Sequence, residues 1–115
     1  MAVYENLPVF KASYDLLLAS FKLCSNLPRD YRYTLGERLK TELTDLMICI
    51  YRANGAEEKR PYLAEARERV VVIKLHLRLL HDMKQISLKQ YALQSVNIES
   101  VSKQLAAWQK KQNNG

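Results

Sequence analysis

Residues 61–84 read PYLAEARERVVVIKLHLRLLHDMK, and their spacing decides the fold. Leu63, Ala66, Val70, Ile73, Leu77 and Leu80 follow at steps of three, four, three, four and three, the recurrence of one side of an α-helix rather than the alternation of a strand. At about 100° per residue a second apolar set, Val72, Leu75, Leu79 and Met83, falls on nearly the opposite side. The first side serves the core of its own bundle. The second is expected to be an oligomer interface, because a monomeric bundle rarely exposes four large apolar residues in a row. Between them Arg60, Arg67, Lys74, Arg78 and His81 project into one valley, so a cationic stripe runs along the helix.

Working outward, three more helices follow from the same periodicity. Phe10, Tyr14, Leu17, Phe21 and Cys24 step along one face, which predicts a first helix over 9–26 that starts by Pro8 and is stopped by Leu27-Pro28. Leu35, Leu39, Leu43, Leu46 and Ile50 predict a second over 35–53, opened by a Thr34-x-x-Glu37 capping box and ended by Asn54-Gly55, where a left-handed residue fits. The connection between them, residues 29–33, mixes Arg29 and Arg32 with two tyrosines. It reads either as a polar loop packed over the bundle end or as a contact for phosphate and base.

Ser87 and Gln90 form another capping box, opening a fourth helix whose apolar face is Tyr91, Ile98, Val101, Leu105 and Trp108, with Gln94 as its one polar member. Short turns force consecutive helices antiparallel, so the expected fold is all-α: an up-down-up-down four-helix bundle in a single domain, residues 1–115. Helices of this length make a rod of roughly 27–37 Å at about 1.5 Å per residue, with only residues 112–115 left as a tail.

The composition agrees with this reading. Three glycines and three prolines in 115 residues favour a few long helices, and 48% apolar content is that of a globular chain. Cys24 and Cys49 lie inside helical patterns and read as small buried hydrophobes. The N-terminus has no signal-peptide pattern and no segment approaches the length of a membrane span, so a cytoplasmic protein without a membrane partner is expected. Eighteen Lys and Arg against 12 Asp and Glu give a net charge of +6, which suits an anionic partner but does not require one.

Catalytic and metal-binding patterns are missing. A carboxylate-bridged metal site in such a bundle needs Glu-x-x-His on two helices, and none of the eight glutamates has His three places on. No Gly-rich phosphate loop or Cys-x-x-Cys is present. His81 and Asp82 are adjacent on a helix and are not expected to face each other. Neither an enzyme nor a cofactor is expected. The stripe itself reads either as a solvated face, partly offset by Asp82 near Arg78 and Glu57 near Arg60, or as an anion-binding surface.

The combination of Leu27-Pro28-Arg29 with Arg32, then Leu35-Gly36-Glu37-Arg38, the segment Leu75-His76-Leu77-Arg78-Leu79-Leu80-His81-Asp82, and the final Tyr91 and Trp108-Gln109-Lys110 resembles the accessory variability determinant proteins of diversity-generating retroelements. These belong with the four-helix proteins encoded in intervening sequences of 23S ribosomal RNA genes. The likeness spans roughly residues 7–110. It implies a non-enzymatic homo-oligomer, a pentamer, that binds a reverse transcriptase and template RNA or DNA. Basic character carries over at Arg29, Arg32, Arg38, Lys74 and Arg78. Where the intervening-sequence branch ends its second helix in an Asn-Ile-Ala-Glu-Gly-like run, this chain reads Ile50-Tyr51-Arg52-Ala53-Asn54-Gly55, which favours the retroelement branch. The alternative is a nucleic-acid-binding or structural oligomer without a reverse transcriptase.

Overall fold

The computed structural model describes residues 3–114. Four long helices, α1 (Pro8–Ser25), α2 (Glu37–Gly55), α3 (Arg60–Asp82) and α4 (Leu88–Asn114), run up, down, up and down, and no strand occurs among the described residues. Each packs against two neighbours, α1 on α2, α2 on α3, α3 on α4 and α4 back on α1, which closes a square bundle. A short 3-10 turn, Tyr4–Asn6, precedes α1.

The seam of α3 is buried as its spacing predicts: Leu63, Ala66, Ile73 and Leu80 are wholly inaccessible, Val70 and Leu77 nearly so. Across from it lie Leu39, Leu43, Leu46 and Ile50 of α2 and Ile98, Val101 and Leu105 of α4. Full burial of each such aliphatic side chain stabilises the fold by about 1.5–3 kcal/mol before the cost of ordering it. Gln94 sits among them at 4% exposure, and its Oε1 has no hydrogen-bond partner. Cys24 and Cys49 are buried and unbridged, and burial raises both thiol pKa values, that of Cys49 to about 11. They pack as small apolar groups.

The first helix departs from its predicted face. Its buried residues are Val9, Ser13, Leu16, Ser20, Leu23 and Cys24; of the predicted face only Cys24 is among them, while Tyr14 and Phe21 are about half exposed and Phe10 and Leu17 only partly covered. Small side chains at Ser13 and Ser20 fit the space inside α1 where a ring would not. Ser13 meets its polar requirement by donating to the Val9 carbonyl at 2.8 Å.

The connection at 29–33 is no loop, and the Thr34–Glu37 capping box does not form. Pro28 is extended, and the chain turns helical directly after it, through Arg29–Tyr31 and a π-helical turn, Arg32–Gly36, that runs straight into α2. Thr34 is therefore inside a helix, where its hydroxyl donates to the Asp30 carbonyl at 2.5 Å instead of capping. Gly36 lets this turn approach the end of α1: a Cβ there would lie 3.2 Å from the Tyr31 carbonyl oxygen and 3.4 Å from Cys24 Sγ.

Asn54-Gly55 does not act as a left-handed stop either. Both residues are helical, no glycine among the described residues has positive φ, and the chain leaves α2 at extended Ala56. The second capping box does form, with the Ser87 amide donating to Gln90 Oε1 at 2.8 Å and the Gln90 amide to Ser87 Oγ at 3.0 Å. The rod measures 46 × 21 × 19 Å, longer than expected because α4 continues for 27 residues. The predicted tail at 112–114 is the end of that helix, and Gly115 lies outside the described residues.

Candidate nucleic-acid interface

The stripe on α3 lies in the groove between α3 and α4, and its members are occupied. Arg67 donates to Gln109 Oε1 at 2.6 Å, and Lys74 pairs with Glu99 of α4, which draws the Glu99 carboxyl below its usual range. Arg78 meets Asp82 at 3.5 Å. Arg60 is held by Glu58 rather than Glu57, at 2.5 Å, and their two-point contact lowers the Glu58 carboxyl to about 2. His81 stacks on Tyr91 with ring centroids 4.6 Å apart. Its Nδ1 also lies 3.4 Å from Asp82 Oδ1, so these adjacent residues do meet.

The far end of the bundle is different. Antiparallel order brings together the end of α1, the π-helical turn, the end of α3 and the start of α4. Arg29 and Arg38 are exposed there and form no ion pair among the described residues; the same holds for Lys22, Lys84 and Lys89. Arg32 is half-buried and donates through Nη2 to the Leu27 carbonyl at 3.1 Å, which spends part of its hydrogen-bonding capacity on the fold. Tyr33 stands beside them at 62% exposure. Cations with a free aromatic face are what a single strand needs for phosphate contact and base stacking. Lys22, Lys84 and Lys89 escape a reading of the sequence because some sixty residues separate them, and only the bundle topology joins them.

On the outer side of α3, Leu75 is 54%, Leu79 37% and Met83 50% exposed, while Val72 is half-buried. A second apolar surface, not anticipated from spacing, lies between α1 and α2. It is a groove of about 630 Å³ lined by Phe10, Tyr14, Leu17, Met47, Ile48 and Tyr51. Tyr4 closes one end, edge-on to Phe10 at 5.1 Å and to Tyr51 at 4.8 Å.

Among the described residues no three His, Cys, Asp or Glu side chains gather as metal ligands would, and no helix is long and apolar enough to cross a membrane. A family model described as bAvd-like matches residues 9–112, nearly the whole of the four helices. The chain belongs to the bAvd-like family. This is the accessory variability determinant type that the helical motifs resemble, and the bAvd-like match covers both the free cations at the bundle end and the stripe. A comparison with curated proteins gave no match.

Proposed function

We propose that this bAvd-like protein is a non-enzymatic accessory subunit in retroelement-driven diversification: a cytoplasmic homo-oligomer, of five subunits as the resemblance implies, that binds a reverse transcriptase and its template RNA and adds no chemistry of its own. The family match over residues 9–112 carries this reading. The net charge of +6 supports it, and so does the way the free cations gather at one end. Of the two basic surfaces, the end patch with Arg29 and Arg38 suits phosphate better than the stripe. Lys74 and Arg78 would have to leave Glu99 and Asp82 to bind a phosphate. Repetition around an oligomer multiplies a modest patch into a strong polyanion site.

Phosphate contacts release counterions, so affinity for single-stranded template RNA is expected to fall steeply with salt, with a log-log slope of roughly −0.7 per contact. The variant Arg29→Ala/Arg38→Ala should weaken binding and flatten that slope, and Lys74→Ala/Arg78→Ala should do so less. Both pairs are off the core, so helix content should be unchanged. Binding that keeps its slope in both variants would refute the electrostatic mechanism. Failure of the protein to co-purify with the reverse transcriptase of its own retroelement would remove the accessory role.

A further inference from the structure

We propose that neighbouring copies of this chain join head to tail, with the outer ridge of α3 in one protomer seated in the α1–α2 groove of the next. The inference rests on the homo-oligomer reading above and specifies how the copies meet. Two of the apolar surfaces left uncovered differ in shape. Leu75, Leu79 and Met83 recur at steps of four, which makes a convex aliphatic ridge along one helix. The α1–α2 surface is a concave cleft with aromatic walls. Cleft on cleft leaves a void, and ridge on ridge leaves the cleft open. A contact between unlike surfaces covers both at once.

Charge adds register to shape. The exposed line of α1 beside the cleft carries Lys11, Tyr14, Leu18 and Lys22, a base at each end, with Asp15 between them. The outer line of α3 reads Glu68, Val71, Leu75, Leu79 and Asp82, with Arg78 beside Asp82, so Glu68 is its unpaired acid. Lys11, Lys22 and Glu68 form no ion pair among the described residues, and Asp82 meets only Arg78 and His81 of its own helix. The first and third helices of an up-down bundle run in the same direction, so parallel neighbours can place the unpaired Glu68 over the unpaired Lys11. A side of a rod 46 Å long and about 20 Å wide has room for the roughly 800 Å² per partner that a stable interface buries.

The cleft is built by α1 and α2 and the ridge by α3, so the two surfaces share no helix. Such a contact between unlike surfaces gives a ring where its rotation closes and an open helical filament where it does not.

Mixing two damaged chains tests this. Tyr14→Glu/Ile48→Glu damages the cleft and Leu75→Glu/Leu79→Glu the ridge, all at exposed positions, so circular dichroism should stay helical for both. By light scattering, at concentrations where the unaltered chain is assembled, each variant alone should be a monomer. An equimolar mixture should form a one-to-one dimer, since one intact cleft can then receive one intact ridge. A cleft variant that keeps the unaltered mass, or a mixture that stays monomeric, would overturn the pairing while leaving oligomerisation intact. A monomeric unaltered chain would overturn both.

Discussion

The Nζ of Lys59 lies 2.9 Å from the carbonyl oxygen of Ala53, and it also reaches the carbonyls of Asn54 and Ala56 at 3.1 and 2.7 Å. An ammonium group thus takes the place at the end of α2 where a left-handed glycine was expected, and its charge faces the negative end of the helix dipole. Lys59→Met keeps the stem and removes these bonds. It is expected to destabilise the fold by about 1–2 kcal/mol, read as a lower urea midpoint at unchanged m-value. Gly55→Ala is the control. A Cβ there meets nothing within 4 Å and the backbone is helical, so this change should stabilise by about 0.5–1 kcal/mol.

The left-handed residue in the chain is Lys84, with φ 60°. It closes α3: the Lys84 amide donates to the His81 carbonyl at 2.9 Å and the Gln85 amide to that of Leu80 at 2.8 Å, the paired bonds of a Schellman ending. A lysine bears a steric cost in that conformation that glycine does not. Lys84→Gly should therefore raise the melting temperature, by the equivalent of about 1 kcal/mol. The same change removes one cation from the end patch, so RNA affinity should drop as stability rises. A loss of stability would mean that the side chain of Lys84 makes a contact that matters more than its backbone.

How far the fold was legible follows from which residues carried each signal. The seam of α3 was readable because six of its seven buried positions are apolar over a long run, His76 being the exception. The face of α1 was not, since two of its six buried positions are serines, and a seam of that kind is invisible to hydrophobicity while the outward rings of Tyr14 and Phe21 imitate one. The helix start at Arg29 was hidden by a plausible cap at Thr34, although Pro28 upstream had already set the break. In the stripe, Arg67 and Lys74 found partners on α4 that no local spacing announces. The end patch joins residues remote in the chain, so it needed the topology first.

His76 supplies the pH dependence. It is 6% exposed on the α2 side of α3, and its Nδ1 has no hydrogen-bond partner. Burial pushes its pKa below the ordinary 6.5, with Glu42 nearby acting upward and Arg38 acting further downward. The folded state thus resists the proton that the unfolded chain accepts. Stability should be full above the ordinary pKa, fall as the pH drops below about 6.5, and level off once the folded form is also protonated. Glu99, the carboxylate held down by Lys74, is deprotonated in both states across that window, so its loss comes at lower pH and is separable. His76→Phe keeps a ring in the core and takes away the proton site. Urea midpoints at pH 7.5 and 5.5 should differ in the unaltered chain and coincide in the variant. An equal drop in both would assign the acid sensitivity to carboxylates rather than to the buried imidazole.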